Sequence, residues 1–110
     1  MWRDIIMNIE HFRAYLSKKY DNERVIGDAI SRCKRVEKYE GDLDEHYSKD
    51  AGISILNKLS YSKEDSLRQI EPKHSIPIKG SKGYQSIYEG TLSIYRATEL
   101  YFDYKKTLHR

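Results

Sequence analysis

The C-terminal segment has a helical pattern that is apolar around most of its circumference, and this constrains the fold most strongly. One apolar stripe recurs at intervals of three and four residues: Tyr84, Ile87, Thr91, Ile94, Thr98, Tyr101 and Leu108. A second stripe runs beside it: Tyr88, Leu92, Tyr95 and Phe102. A helix this apolar cannot lie at the surface with one side in water. The pattern predicts a long helix surrounded by the rest of the domain, with a partner-facing helix as the alternative.

Two further helices are predicted at the start of the chain, where apolar residues again recur at helical intervals. The first stripe is Ile5, Ile9, Phe12, Leu16 and Tyr20, and the second is Val25, Ile26, Ala29, Ile30, Cys33 and Val36. Asn22 is a favoured N-cap for the second helix, and Gly41 is a favoured stop. Helices joined by so short a break are expected to pack antiparallel or to cross steeply.

The middle of the chain predicts shorter elements and then a loop. An acidic turn after Gly41 suits a helix N-terminus, and a further helix is expected near residues 50–59. Ser62 and Asp65 have the spacing of a capping box for one more short helix. Residues 70–83 contain both prolines, two glycines and several cations, which predicts a basic loop.

The chain length fits one domain with its own core. It has 110 residues, of which 38% are hydrophobic and 34% charged. We therefore predict an all-α single domain over residues 1–110. Its expected architecture is a bundle of four to five helices around the long C-terminal helix, with the basic loop before it. Residues 1–6 are interpreted as an N-terminal extension, with Met7 as an alternative translation start.

The single cysteine and the lack of a long apolar run bear on location. Cys33 cannot form an internal disulfide, and its place on the apolar side of the second helix predicts a buried, unreactive thiol. No stretch of the sequence approaches the apolar length of a membrane span. These features predict a cytoplasmic protein without a membrane partner.

No catalytic or metal-binding motif is complete in the sequence. The four histidines have no helical pairing with one another, so exposed or half-buried side chains are expected: His11, His46, His74 and His109. The acidic residues around His46 lack the pattern of a calcium-binding loop and are interpreted as a solvated turn. No phosphate-binding glycine motif occurs. The sequence therefore predicts a protein that is not an enzyme and needs no metal or cofactor.

Two basic groupings are candidates for contact with phosphates. The first is on the second helix and comprises Arg32, Lys34, Arg35 and Lys38, opposed by Glu37. On the same helix, Arg24, Arg35 and Lys38 should point away from the core. The second is the loop, with Lys73, His74, Lys79 and Lys82. Cations gathered on one side of a protein bind phosphates and make the affinity dependent on salt. The net charge of +3 is mild, and an ordinary solvated surface has a similar pattern.

Several segments resemble a known DNA-binding domain. They are residues 12–16 (FRAYL), 25–36 (VIGDAISRCKRV), 76–80 (IPIKG) and 93–104 (SIYRATELYFDY). Their succession resembles the SAM-like N-terminal core-binding domain of tyrosine recombinases. It is also similar to helical domains attached to restriction endonucleases and other bacterial defence proteins. The resemblance covers most of the chain.

The resemblance implies that the chain contacts DNA. In that family the fold clamps one side of the duplex, which implies contacts from Arg32, Arg35 and the lysines before the last helix. Arg96 is expected to reach a base or the backbone. The Arg, His and Tyr residues that cleave strands in the recombinases are absent, so the resemblance implies a non-catalytic accessory module or a piece of a larger protein.

A protein-interaction module is the alternative function. The last helix is rich in tyrosine, and its apolar surface would suit a protein partner or a second copy of the chain. The residues expected at such an interface are Tyr88, Tyr95 and Phe102. The corresponding hypothesis is a phage or mobile-element modulator of a bacterial defence enzyme, or a self-associating adaptor.

Overall fold

The computed structural model describes residues 9–108, and a long C-terminal helix is at the centre of this part. The helices are α1 (Ile9–Lys19), α2 (Glu23–Glu40), α3 (Leu43–Asp50), α4 (Ile53–Lys58), α5 (Lys63–Leu67) and α6 (Tyr84–Thr107). Helix α6 packs against α1, α2, α4 and α5, most extensively against α2. The described residues form no strand. The predicted all-α fold around a long C-terminal helix is confirmed.

The core lies mainly between α2 and α6. Five buried residues come from α2: Ile26, Ala29, Ile30, Cys33 and Val36. Those of α6 are Thr91, Ile94, Ala97, Thr98, Tyr101, Phe102 and Tyr104. Helix α1 adds Phe12 and Leu16, and the Phe12 ring meets Tyr101 edge to face at 5.0 Å between centroids. The apolar stripes of the sequence therefore face one another in a single core.

The helix ends use the residues that the sequence predicts for them. The Asn22 side chain accepts hydrogen bonds from the backbone amides of Arg24 and Val25, which makes it the N-cap of α2. Gly41 ends α2 at a φ of 94°, a conformation that glycine adopts without steric cost. Ser62 and Asp65 form a complete capping box at the start of α5. These three predictions are confirmed.

The connection from α3 to α4 is determined by close packing on α6. Gly52, at a φ of 83°, precedes α4, and a Cβ atom there would lie 2.3 Å from the ring of Phe102. A side chain at this position would displace the ring. The helix expected near residues 50–59 is therefore α4, which begins only after Gly52.

The segment between α5 and α6 carries no helix or strand over residues 70–80, in agreement with the predicted loop. It is nevertheless anchored to the bundle, because His74 and Ile76 are buried. The proposed extension at residues 1–6 lies outside the described residues, as does His109. In the described part of the chain, no helix has the length and apolarity needed to cross a membrane.

Candidate nucleic-acid interface

Helix α2 turns its cations away from the core. At about 100° per residue, Arg24, Arg32, Arg35 and Lys38 fall within a sector of about 120° that is opposite Cys33. Arg24 and Lys38 are exposed, whereas Arg32 and Arg35 are half-buried. Asp28 is the acidic residue of this sector. The outward direction predicted for Arg24, Arg35 and Lys38 is therefore observed.

The basic loop lies against the C-terminal half of this sector. The Arg35 guanidinium donates a hydrogen bond from Nη2 to the Pro77 carbonyl oxygen at 2.5 Å. Beside this contact lies a pocket between α2, the loop and α6. The pocket is lined by Arg35, Lys38, Tyr39, Pro77, Ile78, Lys79 and Gly90. Cations from two distant parts of the chain therefore meet at one place.

A second pocket adjoins the first and extends it along α6. It is lined by Lys79, Gly80, Ser81, Lys82, Ser86, Glu89, Gly90 and Ser93. Because the two pockets share Lys79 and Gly90, we treat them together as the basic groove, defined by these two sets of lining residues.

The basic groove has an excess of positive charge. Among the described residues that line it, four are cationic: Arg35, Lys38, Lys79 and Lys82. The acidic lining residue is Glu89, whose Oε2 accepts a hydrogen bond from the Gln85 amide at 3.1 Å. That amide is neutral, so it leaves the charge of Glu89 unchanged. The lining therefore suits an anion that bridges several cations.

Three of the seven predicted DNA-binding residues lie outside the lining of the groove. Arg24 is three helical turns before Arg35 on α2, about 16 Å along the axis. Arg32 precedes Arg35 by about one turn. Arg96 is exposed on α6, about one turn beyond Ser93. They flank the groove, and the other four predicted residues line it.

A buried histidine anchors the loop that carries Lys79 and Lys82. His74 is 6% exposed, so its interpretation as an exposed or half-buried member of the basic loop was wrong. Its Nδ1 accepts a hydrogen bond from the Ile76 amide at 3.1 Å, and Nε2 lies 2.9 Å from Thr91 Oγ1 on α6. With Nδ1 accepting, the neutral ring carries its proton on Nε2 and donates to Thr91.

Charges around His74 act in both directions. Burial lowers the pKa of His74, the Glu40 carboxylate opposes this effect, and Arg35 and Lys58 lower the pKa further. Together these effects lower the pKa of His74 below its ordinary value, so the ring is neutral at physiological pH. His74 therefore holds the loop by hydrogen bonds and adds no positive charge to the groove.

Glu40 at the end of α2 is a second anchor of the loop. Its Oε2 accepts hydrogen bonds from the Ser75 amide at 2.7 Å and the Ser75 hydroxyl at 2.8 Å, and its Oε1 lies 2.9 Å from Lys58 Nζ. Burial alone would raise the pKa of Glu40, but the hydrogen bonds from Lys58 and Ser75 hold it below its ordinary value. The position of the loop is thus fixed from α2 and α6.

Sequence reasoning did not assign Tyr39, Ile78 or Gly90 to the site. A Cβ atom at Gly90 would lie 2.6 Å from Ile78 Cγ2, so the glycine allows the loop to approach α6 closely. A glycine inside a long helical pattern is an indication of such an approach. Tyr39 could have been identified from its place in the same outward sector of α2 as Arg35 and Lys38.

The residues expected at a protein interface do not share one environment. Phe102 is 2% exposed, and its ring stacks with Tyr47 at 5.9 Å between centroids. It is therefore a core residue, and the structure corrects its assignment to a partner-facing surface. Tyr88 and Tyr95 are half-buried.

The acidic residues of the middle segment have structural partners. Asp42 caps α3, and Asp50 accepts hydrogen bonds from the backbone of Gly52 and from Ser54. Asp44 accepts a hydrogen bond from the Tyr101 hydroxyl at 2.5 Å and pairs with Lys105 at 3.2 Å. Within residues 9–108, no three His, Cys, Asp or Glu side chains are placed to hold a metal ion. The expected solvated turn is thus a set of caps and core contacts.

Cys33 and Glu37 lie in the same buried region on the core side of α2. Burial, and then the nearby Glu37 carboxylate, raise the pKa of Cys33, whose Sγ lies 3.2 Å from the Ala97 carbonyl oxygen. This agrees with the predicted unreactive thiol. Burial raises the pKa of Glu37 to about 7, with a further rise from Asp42 and Asp44 and an opposing hydrogen bond from the Leu43 amide.

No protein-family model, curated protein or solved structure matches this chain. The resemblance to recombinase core-binding domains therefore stays a prediction.

Proposed function

We propose that the protein is a non-catalytic DNA-binding module that holds phosphates in the basic groove. The observation that carries this proposal is the convergence of cations from two distant segments. Arg35 and Lys38 of α2 line the same pocket as Lys79 of the loop, and Lys82 lines the adjoining pocket.

The cations differ in how they would bind a phosphate. Arg35 uses one guanidinium N–H for Pro77, which leaves four of its five donors for an anion. Lys38, Lys79 and Lys82 are point charges on flexible stems, suited to phosphates whose exact position varies. With four phosphate contacts, a plot of the logarithm of the binding constant against the logarithm of the salt concentration would have a slope of about −3 to −4.

Arg24, Arg32 and Arg96 extend the proposed surface on both sides of the groove. The rise from Arg24 to Arg35 is about 16 Å, close to the length of about five nucleotides in one strand of a duplex. These residues would contact phosphates beyond those held in the groove. The resemblance to recombinase core-binding domains supports such roles for Arg32 and Arg35.

The test is a fluorescence-anisotropy titration of a labelled DNA duplex at roughly 50 mM salt, where phosphate contacts are strong. The variant Lys79→Glu/Lys82→Glu reverses two groove charges. The matched control Lys18→Glu/Lys63→Glu makes the same change in net charge at exposed positions on α1 and α5. We expect the groove variant to lose at least about tenfold in affinity and the control to lose much less. Absence of binding to this duplex and to its separated single strands, or equal losses in both variants, would overturn the proposal.

A protein-interaction module is the second candidate function. Leu67 on α5 is 76% exposed, and α5 packs against the helix that carries Tyr88 and Tyr95. Leu67 is accessible for contact with a partner or a second copy of the chain. Light scattering tests self-association: a dimer that Leu67→Lys dissociates favours this function, and a monomer at all concentrations argues against a homodimer.

A further inference from the structure

The basic groove contains an apolar surface as well as cations. Tyr39, Pro77 and Ile78 line its first pocket, with Gly90 of α6 close against Ile78. Phosphates gain nothing from apolar contacts. A ligand that matches both parts of the lining has negative charge and an apolar face.

Tyr39 is the aromatic residue of this pocket and is 40% exposed. Its carbonyl oxygen accepts a hydrogen bond from the Ser75 hydroxyl at 3.3 Å, which ties this turn of α2 to the loop. The Lys38 ammonium lies 5.4 Å from the centroid of the Tyr39 ring. A cation and an aromatic ring are therefore within reach of a single nucleotide.

We infer that the basic groove binds unpaired nucleotides of single-stranded DNA. This inference rests on the proposed function and makes it more specific. A base packs against Tyr39, while Arg35, Lys38 and Lys79 hold the neighbouring phosphates. In a duplex the base faces are stacked on one another, so Tyr39 gains no contact with them. In a single strand each base has an accessible face, and stacking on an aromatic ring strengthens binding.

The experiment compares a labelled oligothymidylate with a DNA duplex of the same length, at roughly 50 mM salt. Tyr39→Leu keeps an apolar side chain but removes the aromatic face, and Tyr39→Phe is the matched control that keeps it. We expect the wild-type protein to bind the single strand about tenfold more tightly than the duplex. Tyr39→Leu should lower single-strand affinity roughly tenfold, while Tyr39→Phe should lower it less than about twofold.

The outcomes separate this inference from the proposal on which it rests. Both Tyr39 variants should change duplex affinity far less than single-strand affinity, because stacked base pairs offer the Tyr39 ring no free base face. Duplex binding as tight as single-strand binding, or single-strand affinity unaffected by Tyr39→Leu, overturns the inference and leaves DNA binding standing. No binding to either DNA overturns both. Circular dichroism of each variant checks that the exposed substitution leaves the helical content intact.

Discussion

The two ends of α6 lie in different surroundings. Toward its C-terminus, Tyr101, Phe102 and Tyr104 are buried among aromatic rings, including that of Phe12. Toward its N-terminus, most residues before Thr91 are half-buried or exposed, and the helix borders the basic groove. One continuous helix therefore joins an aromatic end and a groove end.

The two ends are also held by different forces. At the aromatic end, ring packing removes large apolar surfaces from water. At the groove end, hydrogen bonds position the loop, with His74 against Thr91 and Arg35 against Pro77. The difference indicates that apolar packing at one end stabilises a fold that can tolerate uncompensated cations at the other.

The largest predicted effect is at the aromatic end. Phe102→Ala leaves a cavity beside Tyr47 and Tyr101 and should lower the free energy of unfolding by about 3–5 kcal/mol. Urea denaturation measures this change. Leu108→Ala, at an exposed position just after the same helix, is the control and should cost less than about 0.5 kcal/mol. A loss below about 1 kcal/mol in Phe102→Ala would show that the aromatic end does not dominate stability.

The next effect depends on pH and concerns the half-buried carboxyl of Glu37. Its pKa in the folded protein is about 7, above the ordinary value of 4.5. Its contribution to stability is therefore fully present below about pH 4.5 and is lost as the pH rises through 7. Glu37→Gln should stabilise the protein by about 1–2 kcal/mol near pH 8 and much less near pH 5. Urea denaturation at both pH values measures it, and an equal effect at both would contradict the raised pKa.

At the groove end, a fall in pH should lower the stability of the protein, which is the opposite of its effect through Glu37. The pKa of His74 is below its ordinary value of 6.5, so the contribution of the neutral ring is present above pH 6.5. It is lost as the pH falls below 6.5 toward the pKa of the folded state, because protonated Nδ1 cannot accept from the Ile76 amide. Hydrogen exchange should show about 1 kcal/mol less protection of that amide at low pH. Titration of His74 at or above 6.5 in the folded protein would contradict this account.

The smallest effect on stability is predicted for the groove lysines. Lys79→Ala/Lys82→Ala removes two exposed charges and should change the free energy of unfolding by less than about 0.5 kcal/mol. Thermal denaturation measures this change, and the same sample should show weakened DNA binding. A destabilisation above about 1 kcal/mol would show that the groove lysines also stabilise the fold.

Local features of the fold were predictable from the sequence. Asn22, Gly41 and the pair Ser62 and Asp65 act within a few residues of their own positions, so spacing alone identified them as caps. The central position of α6 followed from the width of its apolar surface. Such patterns depend only on helical periodicity, which the sequence contains directly.

The groove was only half predictable, because its parts come together through tertiary contacts. Arg35 and Pro77 are 42 residues apart, and no local pattern indicates their hydrogen bond. His74 was misinterpreted for the same reason, since its burial depends on Thr91 and on the approach of the loop to α6. The cations could be identified from the sequence, but the site at which they come together could not.

The central claim is that cations from α2 and the loop form one DNA-binding surface. An NMR titration of the labelled protein with a short oligothymidylate tests it most directly, by following the backbone amide of each residue. We predict that the amide resonances whose chemical shifts change belong to residues 35–40, 77–82 and 86–93. The chemical shifts of the α1 and α3 amides should not change. Shifts scattered over the lysines and arginines of the whole molecule, or no shifts at all, would contradict the claim.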